Sequence, residues 1–178
     1  MIQVRRNVFE TNSSSTHSIA IATDDSSEME IPNKITFRVG EFGWEFWNYH
    51  DCDSKASYFY TALYENYNND EAEEIANRVK EYIENRYNVE VILEKPELEE
   101  WEYNGNKYCS LKDGYIDHAS AAWDFVDVVV NDYDLLMDFL FKYDSFVATG
   151  NDNCYEYESM RMERPSPNKK YLEFFKGN

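Results

Sequence analysis

Residues 2–23 read IQVRRNVFETNSSSTHSIAIAT, in which a polar run separates two segments of alternating apolar residues. An apolar period of two is typical of half-buried β-strands. The stretch therefore predicts an N-terminal β-hairpin over residues 1–23, with the eight residues from Glu10 to His17 as its loop. The apolar residues that alternate are Ile2, Val4 and Val8 in the first segment and Ile19 and Ile21 in the second.

Downstream of the hairpin, apolar residues at spacings of three and four predict four helices. Shorter apolar runs bounded by Gly, Pro, Asn or Asp predict strands. Together these elements indicate an α+β fold, in which a small mixed or antiparallel sheet is packed by about four helices. The predicted helices cover residues 54–67, 70–87 with Asp70 as N-cap, 119–130 and 132–142, and the predicted strands cover 35–39, 89–93, a segment within 108–116 around the Asp113-Gly114 turn, and 145–149 before a turn at 150–153.

The length and composition are those of one folded unit. The chain has 178 residues, of which 43% are hydrophobic and 17% aromatic. A chain of this size buries enough apolar surface for a core without help from metals or disulfides, and its aromatic content excludes a disordered acidic tail. We expect a single domain over residues 1–178, with the segment 161–178 docked as a C-terminal tail.

The charge is unevenly distributed. The formal net charge is −18, and residues 39–160 alone hold 8 Lys and Arg against 28 Asp and Glu. Such a surface repels nucleic acid, which excludes sequence-independent nucleic-acid binding by the whole molecule, and it attracts a cationic partner. The alternative is that the acidity only keeps the protein in solution.

Cysteine spacing and apolar run lengths indicate a reducing compartment and no membrane partner. The three cysteines, Cys52, Cys109 and Cys154, are widely separated, which argues against a disulfide framework or a zinc site. No stretch approaches the roughly 20 apolar residues of a transmembrane helix. We also find no phosphate-binding glycine loop and no cofactor or metal motif, so the sequence predicts no cofactor and no metal. It predicts a cytoplasmic location.

The polar loop of the predicted hairpin carries groups that suit a phosphodiester. Arginines hold the charge, hydroxyls and amides donate to phosphate oxygens, and His17 or Glu10 moves a proton. The alternative is a loop whose Ser and Asn side chains only satisfy their own backbone. The candidate binding residues are Arg5, Arg6, Asn12, Ser13, Ser14 and Ser15.

A second histidine offers the other half of an acid–base pair. His118 follows Asp117 at a predicted strand-to-helix junction, and a neighbouring carboxylate orients an imidazole and raises its pKa. Two histidines of this kind are what metal-independent RNA cleavage needs. The alternative for Asp117 is the N-cap of the helix that follows.

Three motifs resemble those of a known family. Residues 5–18 read RRNVFETNSSSTHS, residues 114–118 read GYIDH, and a DFLF run at 138–141 leads to TGNDN at 149–153. The first motif is long and specific, and the other two are short and supportive. With these motifs the chain resembles a group of small phage and prophage proteins of Firmicutes that open with VFETNSSSxHS.

The resemblance implies a phage-encoded counter-defence protein. The group includes an anti-CRISPR inhibitor of the RNA-guided DNA nuclease of type II systems, in which the N-terminal hairpin matters and the guide RNA changes length. The implied partner is that ribonucleoprotein in the bacterial host cytoplasm, with the guide RNA as a further candidate. The implied site combines Arg5, Glu10, Asn12, the three serines and His17, with Asp117 and His118 behind them.

Three hypotheses follow for the function. The first is an inhibitor whose acidic surface binds the nuclease while the hairpin acts on or near the guide RNA, with metal-independent cleavage left open. The second is a nucleic-acid mimic without chemistry, in which carboxylates occupy phosphate sites. The third is a stand-alone phosphodiesterase-like enzyme. The carboxylates of the second hypothesis include Asp70, Glu71, Glu73 and Glu74.

Overall fold

The computed structural model describes residues 15–24, 28–43, 47–117, 120–151 and 170–176. These residues form an α+β structure, which confirms the predicted fold class. None of the helices in these ranges is long and apolar enough to cross a membrane. The helices are α1 (Cys52–Asn66), α2 (Asn69–Tyr87), α3 (Ser120–Val129) and α4 (Tyr133–Phe141), and the strands are β1 (Ser15–Ala22), β2 (Lys34–Phe37), β3 (Glu41–Phe42), β4 (Trp47–Tyr49), β5 (Glu90–Leu93), β6 (Leu98–Tyr103), β7 (Asn106–Leu111), β8 (Tyr115–Ile116), β9 (Phe146–Asn151) and β10 (Tyr171–Lys176).

The main sheet has four antiparallel strands in the order β10-β1-β9-β4. β1 is central, and His17 lies opposite Thr149 of β9 and Lys176 of β10. Between His17 and Ala20, both edges of β1 are therefore occupied by β9 and β10. The second strand of the predicted N-terminal hairpin is β1, whereas its first strand, residues 2–9, lies outside the described residues.

Two predicted boundaries of this sheet are corrected by the pairing. β1 begins at Ser15, so the predicted loop does not extend to His17. β9 continues to Asn151, so the turn predicted from residue 150 begins too early. Both corrections have the same cause, because Gly150 and Asn151 pair with Thr16 and Ser15 and lengthen both strands at once.

α1 is the central helix of the core. Every residue from Lys55 to Leu63 is buried, because β2, β8 and the other helices surround it. The helix begins where the Asp51 carboxylate accepts a hydrogen bond from the Ser54 backbone N–H at 2.8 Å, an N-cap that satisfies one of the unpaired first-turn donors. α3 and α4 pack against both α1 and β1.

Lys55 is the one charged side chain among the buried residues of α1. Its ammonium donates to the carbonyl oxygens of Lys142 at 3.0 Å and Ser145 at 3.2 Å. These bonds tie α1 to the turn between α4 and β9. Burial lowers the pKa of Lys55 from 10.5 to about 8, because desolvation disfavours the charged form.

The N-cap of α2 lies two residues before the predicted one. Asn68 is the N-cap, since its backbone is extended and its side chain accepts from the Glu71 N–H at 3.0 Å. Asp70 is already in the first turn, so the prediction that it caps the helix is wrong. A carboxylate in the first turn still interacts favourably with the helix dipole. Asn68 therefore suits the N-cap, and Asp70 suits the first turn. The helix ends at Asn88 in the left-handed conformation, with φ of 54°.

Three two-stranded sheets complete the fold. β2 pairs with β5 and β3 with β8, both in parallel, whereas β6 and β7 form an antiparallel hairpin. Its turn is Asn104-Gly105, with φ of 51° and 79°, and this pair of positive angles is that of a two-residue type I′ turn. The strand predicted within 108–116 is thus divided between β7 and β8, and the hairpin to which β7 belongs was not predicted.

Candidate functional site

His17 lies on the buried face of β1. Side chains alternate along a strand, so His17 shares its face with Ile19 and Ile21, and all three are at most 1% exposed. His17 is therefore a buried strand residue and not the end of the predicted polar loop. The signal for its burial was present in the sequence, because His17 continues the alternation of the two isoleucines by one step.

Tyr58 of α1 is the polar partner of His17 inside the core. Its hydroxyl lies 3.3 Å from Nδ1 of the imidazole, and Tyr58 itself is fully buried. Burial raises the pKa of Tyr58 well above 10, and the negative charge of Glu65 acts in the same direction. The group therefore stays a neutral phenol, which donates to or accepts from Nδ1 according to the tautomer of the ring.

Gly43 brings His17 and Asp117 together. A Cβ on Gly43 would lie 2.8 Å from Cβ of Asp117 and 3.1 Å from Nε2 of His17, so both side chains pack against the bare α-carbon of this glycine. The backbone of Gly43 has φ of 124°, which L side chains rarely adopt. The parallel pairing of β3 with β8 places Asp117 here, since its N–H donates to the Phe42 carbonyl at 2.8 Å.

The structure thus unites two of the four residues predicted to be catalytic. Asp117 is 7% exposed and His17 is 1% exposed, so both are buried residues. Ser15 is the first residue of β1. The other predicted site residues, Arg5, Arg6, Glu10, Asn12, Ser13, Ser14 and His118, lie outside the described residues.

Sequence analysis did not single out Gly43 or Tyr58, which belong to this cluster. Nothing local in the sequence shows which side chains approach Gly43. Glu65 was not singled out, although its Oε1 accepts from the Ile116 N–H at 3.0 Å and ties α1 to β8. Both roles depend on contacts with residues more than 20 positions away in the chain. We call His17, Gly43, Tyr58 and Asp117 the buried His17 cluster.

This arrangement is better suited to holding elements together than to moving a proton on a substrate. An imidazole, a phenol and a carboxylate are the groups of an acid–base site, but a general base must come within hydrogen-bond reach of its substrate. Here the imidazole belongs to β1, an inner strand of the main sheet, and contacts Tyr58 of α1.

The second candidate site is an exposed set of carboxylates on α2 and on the segment before and within β6. Each member is solvent-exposed, and each was part of the negatively charged middle region of the sequence. We call this set the acidic surface. Its members are Asp70, Glu71, Glu73, Glu74, Glu94, Glu97, Glu99, Glu100 and Glu102.

Two contacts connect the segments that carry the acidic surface to the rest of the fold. The Asn69 side-chain amide donates to Sγ of Cys109 at 3.6 Å, and Cys109 lies opposite Glu100 in the β6–β7 hairpin. The start of α2 is therefore adjacent to the hairpin. The second contact joins α1 to the segment before β6, because the Tyr60 hydroxyl donates to the Glu94 carbonyl at 3.1 Å.

The electrostatics of Tyr60 agree with this proximity. Burial is the main cause that raises the pKa of its phenol, followed by a hydrogen bond with Tyr64. The carboxylates of Glu73 and Glu94 raise it further, which places both charges near one ring. In the described part of the chain, Lys112 pairs with Glu97 at 2.5 Å, so one carboxylate of the surface is neutralised within the protein.

No group of three His, Cys, Asp or Glu side chains within the described ranges is arranged to hold a metal ion. Asp51, which precedes Cys52 in the sequence, serves as the N-cap of α1, and the Cys52 thiol is buried. Comparisons of the chain with family models, with curated proteins and with solved structures found no match.

Proposed function

We propose that the protein is a binding inhibitor, which docks its acidic surface on a cationic, nucleic-acid-binding surface of another protein. The partner that the sequence motifs favour is a type II RNA-guided DNA nuclease, and the protein is accordingly a phage-encoded anti-CRISPR protein. The observation that carries the proposal is the exposure of nine carboxylates on α2 and around β6, two parts of the fold that the contact between Asn69 and Cys109 brings together.

The physical basis is electrostatic complementarity. Nuclease channels that hold RNA and DNA are lined with Lys and Arg, and a dense array of carboxylates occupies the same positions as phosphates. Such charges speed association and select the partner more than they add raw affinity. Exposed charges contribute little to stability, so carboxylates at these positions serve binding and not folding.

We do not extend the proposal to cleavage of guide RNA by His17. The imidazole is 1% exposed and its Nδ1 is engaged by Tyr58. A nucleic-acid mimic without chemistry therefore fits the described structure better than an enzyme does. Any change in guide-RNA length is then a consequence of host nucleases acting on a remodelled complex.

Binding to a purified type II nuclease tests the proposal, with and without its guide RNA and at several salt concentrations. We expect affinity to fall as salt rises, because the charges that attract the partner are screened. The variant Glu73→Gln/Glu74→Gln/Glu94→Gln should weaken binding about tenfold, since it removes three adjacent charges from the acidic surface.

A matched control separates local charge from net charge. Glu30→Gln/Glu41→Gln/Glu173→Gln removes the same number of charges from exposed positions outside the acidic surface. It should leave the affinity within about twofold of the wild type. Equal losses in the two triple variants, or no binding of the nuclease by the wild type, would overturn the proposal.

A further inference from the structure

The β6–β7 hairpin contributes no buried residue to the core. Eight of its twelve strand residues are exposed and the other four are only partly buried. A two-stranded hairpin is at best marginally stable alone. Its order therefore comes from the Asn104-Gly105 turn and from pairs between its own strands, which leaves its surfaces available to something outside the described fold.

The two faces of the hairpin differ in chemistry. Cross-strand partners share a face, so Glu100, Cys109 and their neighbours form one face, and Trp101, Tyr108 and theirs form the other. The first face is turned toward α2, because Cys109 contacts Asn69. The second face lies on the opposite side, and we call it the aromatic face. Its residues are Glu99, Trp101, Tyr103, Asn106, Tyr108 and Ser110.

The rings of the aromatic face are ordered by the hairpin itself. Trp101 and Tyr108 stack across the strands, with centroids 4.6 Å apart and an angle of 17° between the planes. The indole N–H of Trp101 donates to the Ser110 hydroxyl at 3.3 Å, which fixes the ring. Tyr103 is 50% exposed beside the turn. Rigid, partly exposed Trp and Tyr are the residues most enriched at binding hot spots.

We propose that the aromatic face binds an arginine side chain of the cationic partner, with its guanidinium over the Trp101–Tyr108 pair and near the carboxylate of Glu99. This deepens the proposed function, on which it rests for the partner, by assigning the anchoring contact. Arginine stacks on aromatic rings and pairs with carboxylates, whereas lysine is a compact, strongly hydrated charge.

Charge decides between an arginine and a nucleobase as the group that stacks here. Single-stranded nucleic acid also stacks on Trp and Tyr, but it needs cations along its backbone. Residues 97–113 hold five acidic residues and two lysines. One of those lysines, Lys112, is paired with Glu97. A phosphate backbone is repelled by this hairpin, while a guanidinium is attracted to it.

The test compares two labelled nonapeptides, nona-arginine and nona-lysine, by fluorescence anisotropy on the full chain, with a labelled RNA 9-mer alongside. We expect the arginine peptide to bind about two- to fivefold tighter than the lysine peptide. Trp101→Ala should abolish this preference and leave binding that depends on charge. Trp101→Phe keeps a ring in the cross-strand pair, so it should give an intermediate preference even if the alanine variant loosens the hairpin.

Two neighbouring charges supply the matched control. Glu99→Gln and Glu100→Gln make the same chemical change one residue apart, on opposite faces, and only the first should reduce the preference for arginine. A preference unchanged in both Trp101 variants, equal effects of the two glutamine variants, or RNA binding that needs Trp101 would each overturn the inference. Failure of the nuclease to bind, with an arginine preference that does depend on Trp101, would instead contradict the proposed function.

Discussion

The buried His17 cluster and the acidic surface are both rich in polar groups, but their environments are opposite. The cluster is enclosed by the main sheet, α1 and the β3–β8 pair, and its imidazole bonds to a fully buried phenol. The acidic surface faces solvent along α2 and β6. Polar groups in a core must find partners within the protein, whereas exposed carboxylates are hydrated at little cost.

This difference separates polar residues that connect elements of the fold from polar residues that are exposed for binding. The residue types that suggested catalysis from the sequence, a histidine and an aspartate, are used where they connect elements of the fold. The plain carboxylates, which suggested either a cationic partner or only solubility, lie exposed on α2 and on the segment before and within β6. Substitutions in the cluster should therefore change stability, and substitutions on the acidic surface should change binding.

The largest effect on stability is expected for Gly43→Ala. The new methyl group meets Cβ of Asp117 at 2.8 Å, and the positive φ adds strain. We expect a loss of about 3 kcal/mol or more in the free energy of unfolding, measured by chemical denaturation. Gly105→Ala is the control, because its φ is 79° and nothing lies within 4 Å of its new methyl group.

Gly105→Ala should cost about 1–2 kcal/mol, which is the backbone strain alone. The excess in Gly43→Ala then measures the contact with His17 and Asp117 together with the greater strain of a φ of 124°. Equal losses in both variants would break the comparison, because they would show that the His17 cluster is not tightly packed.

A second large effect concerns pH and Lys55. The pKa of its ammonium is about 8 in the folded protein, against an ordinary value of 10.5 for a solvated lysine, so the unfolded chain keeps its proton in the interval between them. Stability contributed by this group should therefore rise as pH increases from about 8 to 10.5, by on the order of 3 kcal/mol. Denaturation of the wild type and of Lys55→Met across this interval measures the difference.

The Lys55→Met variant lacks the titrating amine, so its profile reports the tyrosines and other groups shared by both proteins. Subtracting the two profiles isolates Lys55. A flat difference between pH 8 and 10.5 would show that the ammonium is not desolvated, and the contrast between buried and exposed charge in this protein would be smaller than described.

His17→Ala should lower the free energy of unfolding by about 2 kcal/mol, because it leaves a cavity and an unpaired Tyr58 hydroxyl. Tyr58→Phe removes only the hydroxyl and keeps the ring on Phe42, whose centroid is 5.0 Å away, so it should cost about 1 kcal/mol. Nuclease binding should be unchanged in both at a temperature where they are folded. Lost binding with normal stability would return His17 to the functional site.

The smallest effect on stability is expected on the acidic surface. Glu99→Gln and Glu102→Gln lie on exposed positions of β6 and should each change the free energy of unfolding by less than about 0.5 kcal/mol. Thermal denaturation measures this alongside binding. A loss of about 2 kcal/mol in either variant would mean that these carboxylates serve the fold, which would remove the contrast between the two regions.

Much of the local structure was predictable from the sequence. The spacing of apolar residues located all four helices within a few positions. One face of α2, α3 and α4 packs on the core, whereas α1 is buried on all sides from Lys55 to Leu63. The β6–β7 hairpin was missed although Asn104-Gly105 is a strong turn signal. Its strands bury no face, so the alternation that reveals other strands is hidden by the glutamates of β6.

The sequence predicted residues of the candidate site but not how they are arranged. His17 and Asp117 were identified by residue type, but their burial and their contact through Gly43 depend on pairings between distant parts of the chain. Asp70, Glu71, Glu73 and Glu74 were identified as carboxylates of a possible mimic. Their proximity to β6 required the contact between Asn69 and Cys109, which are 40 residues apart.

The sequence by itself determined the α+β class, the four helices and the strong negative charge. Periodicity is a pattern among neighbouring residues, and net charge depends on composition alone. Tertiary structure alone decided that β1 lies between β9 and β10, that His17 contacts Tyr58 and Gly43, and that the start of α2 lies beside the β6–β7 hairpin. Those outcomes depend on which strands and helices meet, and the free energy that selects them comes from contacts between residues far apart in the chain.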